Sequence, residues 1–320
     1  MSLLVLTLIF FLPISRANSV FEKDNPIKAH YSLMIDAGSS GSRLYIYRVQ
    51  PGVYDDLPLV EFIDQKKVSP GISTFEANPE LILSQMDILL NFAKSKIDSM
   101  SWRETPLYLM ATAGMRLVEQ EQQKETMKEL SSFFTDDSAF DFKEALILSG
   151  QYESLYGWSA LNYLDDSFDT STTRESMLEM GGASTQIAFL SEKEGEEDDD
   201  VVYRSFRGKS YPLFAKSYLN MGQDRALEIA AAPACFPKGY PIMEDGNVGT
   251  GDFEVCSEEV KRIFNNVCDS LEITDCLFNT DFQANTENEF IAIAAYYYTF
   301  EFFRFEDKVD LDSLHDRGDN

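Results

Sequence analysis

Three acidic residues stand where a carboxylate can do chemistry. Asp36 ends a short apolar stretch, Ser32-Leu33-Met34-Ile35, and opens the run Ala37-Gly38-Ser39-Ser40-Gly41-Ser42-Arg43. Glu179 stands in the same way ahead of Met180-Gly181-Gly182-Ala183-Ser184-Thr185-Gln186. A glycine- and serine-rich turn at a strand end can aim successive backbone N–H groups at one point, a concave donor set suited to phosphate oxygens. Ser39, Ser40 and Ser42 add hydroxyls, and Arg43 adds a planar fork for a terminal phosphate. In the second run Gly181 and Gly182 permit close approach while Ser184 and Thr185 donate. One such turn alone reads as an ordinary hairpin with a polar tip. Two, each with an acid in the equivalent place, suggest opposed turns that clamp a di- or triphosphate. Asp36 and Glu179 then hold a divalent ion, directly or through waters.

The third acid, Glu153, lies just past another strand end, between Gly150 and Tyr156-Gly157-Trp158. Cleaving a phosphoanhydride requires a positioned water and a group to take its proton. Glu153 opposite the second turn would be that base, with Ser184 and Gln186 fixing the water. From spacing alone it reads instead as a helix N-terminal cap or a surface acid.

These residues need strands and helices to hold them. Ser32–Ile35 and Leu44–Val49 read as a hairpin around the first turn, and Ser176–Met180 with Ile187–Phe189 as one around the second. Apolar residues at helical spacing (Leu81, Ile82, Met86, Leu89, Leu90, Ala93, Ile97) predict a helix over 79–100. Pro106–Ala111 is a buried strand followed by a charged helix over 117–134, Ala145–Leu148 another strand, and 149–164 a helix. Strands alternating with helices indicate an α/β class, and the repeated hairpin suggests two similar domains facing each other. The aromatic run Tyr296 to Phe305 reads as core or interface packing.

The chain has 320 residues, with 27 Lys and Arg against 54 Asp and Glu, a net charge of -27 that argues against binding nucleic acid or an anionic membrane. Small phosphates remain admissible, because backbone amides and a metal ion can hold them without net positive charge. Leu3–Leu12, ended by Pro13, suits the apolar core of a signal peptide cleaved after Ala17, with an uncleaved anchor or a buried element as the alternatives. No later stretch is apolar enough for a membrane helix, so the mature chain is expected to carry no transmembrane segment and to reach a secreted, extracellular or endomembrane-lumen location. The four cysteines, Cys235, Cys256, Cys268 and Cys276, favour two disulfides over a zinc site, with three pairings open. The acidic run 192–200 reads as a solvated loop rather than a calcium loop.

Taken in order, these segments resemble the apyrase family of nucleoside triphosphate diphosphohydrolases. Asp36–Arg43 resembles its first conserved region, Leu109-Met-Ala-Thr-Ala-Gly-Met-Arg-Leu117 the second, Ala145–Trp158 with Asn162-Tyr163-Leu164 the third, and Leu178–Ile187 the fourth. Ser217-Tyr218-Leu219, Ala234–Tyr240, Gly249–Asp252 and Phe290–Thr299 are also similar to family segments. The resemblance implies two ribonuclease-H-like, actin-like domains with a nucleotide in the cleft between them. It also implies metal-dependent removal of the terminal phosphate from nucleoside tri- and diphosphates, ending at the monophosphate plus phosphate. Glu153 falls on the catalytic base, Ser184 and Gln186 on the residues orienting the water, and Thr112 on a threonine near the terminal phosphate. Gly38, Ser39, Ser40, Gly41, Ser42 and Arg43 with Gly182, Ala183 and Ser184 fall on the phosphate loops. Asp36 and Glu179 fall on the acids that hold Ca2+ or Mg2+ through water, and Lys238 on a basic position that reaches the nucleoside. The implied disulfides are Cys235 with Cys268 and Cys256 with Cys276.

Glu179 departs from the family, which usually has Asp there. Family members also continue past the polar tail found here, so the chain reads as C-terminally truncated. The expected divisions are a signal peptide over 1–17, a first domain over 29–155, a second and incomplete one over 156–306, and a tail over 307–320. The alternatives are an inactive nucleotide-binding relic and an exopolyphosphatase-like phosphohydrolase. The residues set no nucleobase preference, triphosphate-to-diphosphate ratio or oligomeric state.

Overall fold

The computed structural model describes residues 28–52, 57–75, 79–170, 175–191, 201–229, 232–242, 247–270, 289–305, 308–310 and 313–314. The expected signal peptide, the acidic run 192–200, Cys276 and most of the tail lie outside the described residues.

A five-stranded sheet is built from β1 (His30–Gly38), β2 (Gly41–Gln50), β3 (Leu59–Val68), β4 (Pro106–Ala111) and β5 (Asp141–Ile147), in the order β3-β2-β1-β4-β5. β2 is antiparallel to both of its neighbours, whereas β1, β4 and β5 run parallel. A second sheet holds β6 (Ser176–Met180), β7 (Ser184–Leu190), β8 (Val201–Phe206), β9 (Lys209–Leu219) and β10 (Phe290–Ala294), in the order β10-β6-β7-β9-β8. Its β9-β7-β6-β10 part repeats β3-β2-β1-β4 of the first sheet. Each has three antiparallel strands and then one parallel strand on the far side of the first, although in the second sheet β8 comes between β7 and β9 in the chain and pairs outside β9. This is the ribonuclease-H-like arrangement, present twice.

Period-two alternation sorts each strand between two cores. Leu33, Ile35 and Ala37 of β1, with Leu107, Leu109 and Ala111 of β4, face the outer helices α1 (Pro79–Lys96) and, beyond the short helix α2 (Ala113–Arg116), α3 (Gln120–Asp137). The alternate residues Met34, Tyr108 and Met110 face the helix α4 (Gly150–Leu164), as do Met177, Ala188, Leu213 and Ala215 of the second sheet. α4 is therefore enclosed by both sheets, and residues 153–163 are all buried. Trp158 is fully buried against Phe168, Phe206 and Tyr211, and truncating such a side chain costs about 3–5 kcal/mol. Tyr163 ties the same helix to the first sheet, its hydroxyl donating to the Pro58 carbonyl at 2.8 Å and accepting from the Val60 N–H at 3.3 Å. The domain boundary expected at 155 falls inside this helix.

Local chemistry trims two of the expected helices. α1 stops at Lys96 rather than Met100, because the Asp98 carboxylate accepts from the Met100 N–H and opens a 3-10 turn over Ser99–Glu104. The charged helix starts at Gln120, where the Gln123 side chain takes up the Val118 carbonyl. The aromatic run forms α7 (Ala295–Phe302), following α5 (Gln223–Ile229) and α6 (Phe253–Ser270); Tyr297, Tyr298 and Phe302 are exposed, so they are not part of the core.

Candidate functional site

The inner-face stripes that build the α4 core turn polar at one end of β1, β4, β6, β7 and β9. Met34 is followed two residues on by Asp36, Tyr108 and Met110 by Thr112, and Met177 by Glu179. On β7, Ser184 and Gln186 precede Ala188, and on β9 Ser217 follows Ala215. The two-residue period therefore places Asp36, Thr112, Glu179, Ser184, Gln186 and Ser217 on the faces that look at α4, beside its first turn and Glu153.

Glu153 is neither a helix cap nor a surface acid. Ser149 is the cap, its hydroxyl accepting from the Tyr152 N–H at 3.3 Å, and Glu153 turns inward to 6% exposure. Its Oε2 accepts from Gln186 Nε2 at 3.1 Å and from Arg116 Nη2 in a short ion pair. Gln186 Nε2 also lies 2.5 Å from Ser184 Oγ and 2.9 Å from Ser217 Oγ, and Arg116 reaches the same two hydroxyls at 3.2 and 3.4 Å. Both serines accept in these bonds, so each keeps its own O–H to donate. Burial pushes the Glu153 carboxyl up to about 7, against the opposing pull of Arg116, with the charge of Asp36 raising it further.

Asp36 pairs in register with Arg43 across the first hairpin, and their side chains are 3.9 Å apart. Burial raises its carboxyl to about 6, partly offset by Arg43. Thr112 is buried beside it, and its amide donates to the Ala37 carbonyl at 3.1 Å. The first turn is held from below by glycines: a β-carbon on Gly114 would lie 2.8 Å from Ser39 Cα, and one on Gly71 would overlap the Ser39 carbonyl. The second turn is anchored through its carbonyls, Gly181 accepting from Gln223 and Gly182 from Asp224, both at 2.9 Å. The two turns meet, since a β-carbon on Gly182 would overlap Ser39 Oγ and Asp224 Oδ2.

Ser42 corrects the expected donor set. It pairs with Ala37, whose side chain faces the outer core, so its own hydroxyl is buried on the face opposite Asp36 and Arg43. Its Oγ has no hydrogen-bond partner among the described residues. Lys238 is exposed on a turn beside Gly251 and is not among the residues assembled here.

The disulfide pairing also differs. Cys235 is bonded to Cys256, with their Cα atoms 4.8 Å apart. Cys235 ends a 3-10 turn packed against the first turn of α6, where Cys256 lies. Cys268 is over three turns farther along that helix, roughly 18 Å away at the helical rise. The implied pairing of Cys256 with Cys276 is excluded by the same bond.

A divalent cation fits the acids. Glu179 is half-buried, its carboxyl held well above the usual range by desolvation and by the neighbouring charges of Glu153 and Asp36, and its buried Oε2 has no hydrogen-bond partner among the described residues. Two half-buried carboxylates, one with an orphaned oxygen, suit a hard ion that takes oxygen ligands and keeps waters.

The family profile described as the GDA1/CD39 (nucleoside phosphatase) family matches residues 22–317. The chain belongs to this family. It is 30% identical over 348 residues to ectonucleoside triphosphate diphosphohydrolase 1 of Bos taurus, covering 91% of this chain and 67% of that one. It is 28% identical over 335 residues to probable apyrase 3 of Arabidopsis thaliana, covering 91% and 68%. The chain thus spans about two thirds of the length of these relatives. The crystal structure of nucleoside triphosphate hydrolases from Neospora caninum overlays 66% of the chain and 49% of its own, with a TM-score of 0.48 at 17% identity. Among the described residues no helix is long and apolar enough to cross a membrane.

Two residues of the cluster carry no expected role. Arg116 and Ser217 both lie in segments similar to the family, but one basic side chain in an otherwise apolar segment and one serine on a strand give no sign of where they point. Ser217, counted in twos along β9 from Ala215, could be found from the apolar stripe, whereas Arg116, at the end of the one-turn helix α2, gives no such signal.

Proposed function

We propose that this member of the GDA1/CD39 family hydrolyses the terminal phosphate of nucleoside tri- and diphosphates, with a divalent cation, and ends at the nucleoside monophosphate. The observation that carries this reading is Glu153: a buried carboxylate raised to near neutrality, hydrogen-bonded to Gln186 and adjoining Ser184, between two glycine turns that touch.

The backbone amides of residues 38–41 and 182–184, with the Arg43 side chain, hold the phosphate chain, while Thr112 adds a hydroxyl beside Asp36. Ser184 and Gln186 hold a water against the terminal phosphorus, and Glu153 accepts its proton as the new P–O bond forms. The bond to the bridging oxygen breaks, and its electron pair leaves with the remaining nucleotide. Asp36 and Glu179 would hold Ca2+ or Mg2+ through water; such an ion neutralises phosphate charge. A carboxyl near 7 is half ionised at neutral pH, the range in which a general base is most effective. Lys238 is assigned to the nucleoside, and an exported location follows from the apolar N-terminal run.

The test is phosphate release from ATP and ADP by the full chain with Ca2+ or Mg2+, comparing wild type with Glu153→Gln. The expected outcome is metal-dependent release that falls by about 10²–10⁴-fold in the variant. Equal background in both proteins overturns the reading in favour of an inactive nucleotide-binding relic. Release from inorganic polyphosphate but not from nucleotides favours the polyphosphatase alternative.

A further inference from the structure

Arg116 has no part in the steps above, yet it bridges the two halves of the cleft. It ends α2, which hangs from the first sheet just after β4, and its partners lie elsewhere: Glu153 on α4, Ser184 on β7 and Ser217 on β9. Gly150 makes room for it, because a β-carbon there would overlap Arg116 Nη1. Its side chain is 14% exposed, and its Nε is buried with no acceptor among the described residues.

This placement is costly and weakens the base. Taking a guanidinium and a carboxylate out of water carries a desolvation penalty that their attraction does little more than repay, so such a pair is weak evidence for a stabilising role. An orphaned N–H adds a further desolvation cost. Moreover, Oε2 of Glu153 is engaged by both Arg116 and Gln186, and the ion pair draws electron density from the carboxylate that should take a proton. A terminal phosphate in the cleft offers Arg116 several anionic oxygens in the planar geometry its fork prefers, including one for Nε.

We propose that Arg116 is a two-position residue of the reaction, held on Glu153 while the cleft is empty and drawn onto the terminal phosphate of bound substrate, which frees Glu153 to act as the base. This rests on the functional reading above. Charged groups facing Glu153 are Arg116 from α2, Asp36 from β1 and Glu179 from β6; Gln186, Ser184 and Ser217 are its uncharged neighbours. Arg116 alone of these is cationic. Its transfer to phosphate ends the ion pair on Oε2, so the whole Glu153 carboxylate is open to the water.

A double-mutant cycle reads the exchange directly. The probe is an ATP analogue with a methylene bridge between its β and γ phosphates, titrated in Ca2+ against full-length wild type, Glu153→Gln, Arg116→Ala and the double variant. With Arg116 present, Glu153→Gln removes the competing pair and tightens binding by on the order of tenfold. With Arg116→Ala the same change gives a smaller gain. A larger gain with Arg116→Ala overturns the proposal, because Glu153 then opposes phosphate most where Arg116 is absent. Equal gains in both backgrounds overturn it too, since the two residues then act independently. Should Arg116→Ala not fold, Arg116→Lys replaces it with the same order expected.

A spectroscopic readout separates exchange from a structural role. The Arg116 Nε–H resonance, assigned by its loss in Arg116→Lys, shifts when the analogue and Ca2+ are added to wild type. An unmoved resonance overturns the proposal. Wild-type protein that neither binds the analogue nor hydrolyses ATP counts against the functional reading instead.

Discussion

Gly182 lies so close against Ser39 that a β-carbon on it would overlap the Ser39 hydroxyl oxygen. The contact joins the tips of two hairpins that belong to different sheets, so any side chain at 182 wedges the two glycine turns apart. Gly181, its neighbour, is different: a β-carbon there meets nothing closer than 3.7 Å. Gly182→Ala is expected to lower kcat/KM for ATP by on the order of 10²-fold, the cost of misplacing reacting groups by about 1 Å. Gly181→Ala should leave it little changed. Steady-state kinetics on the pair check this, and equal losses would show that the turns tolerate separation.

Glu179 is the second test. Burial holds its carboxyl well above the usual carboxylate range, and its Oε2 is unpartnered, so a neutral amide of the same shape costs the metal-free protein nothing. Glu179→Gln should therefore keep the Tm of the metal-free wild type. It should lose both the rise in Tm that added Ca2+ or Mg2+ gives and the metal-dependent turnover. Thermal scans with and without the ion decide it; a preserved rise in Tm would remove Glu179 from the metal site.

Stability should depend on pH in the direction opposite to that of a salt-bridged acid. Asp36 is raised from 3.8 to about 6, chiefly by burial against the pull of Arg43, and Glu153 from 4.5 to about 7 by burial against Arg116. The native state then holds more protons than the unfolded chain between those values, and stability falls as pH rises through them. The metal-free Tm is expected to be highest near pH 4 and to decline toward pH 7. The decline should be shallower in Glu153→Gln. Scans across that window that show a flat or rising Tm would contradict the burial of these two acids.

The disulfide yields a covalent prediction. Non-reduced digestion should give one peptide pair joining Cys235 to Cys256, whose sequence separation is 21. Cys235→Ser and Cys256→Ser should destabilise equally, by about 3 kcal/mol in the chain-entropy account of a loop this size. Mass spectrometry and denaturant titration measure both. A Cys235–Cys268 peptide would restore the pairing implied by family resemblance.

By itself the sequence determined what local rules govern. Glycine- and serine-rich turns behind Asp36 and Glu179 are legible because turn chemistry is set by neighbouring residues. The strands are legible because their apolar residues recur in twos, and the order of both hairpins follows directly. Which strand face is inner was not legible, since a stripe shows that a face is buried and not against what. That is why Ser42 read as a phosphate donor until its pairing with Ala37 turned it to the outer core. Glu153 carried three readings in the sequence, and only the packing of α4 between two sheets chose the buried carboxylate. Arg116 became visible once α2 and α4, far apart along the chain, were brought together. Burial, long-range ion pairing and the partner of a cysteine all depend on distances between segments remote in sequence. Those distances are fixed by how the two cores close, and that only the tertiary structure decided.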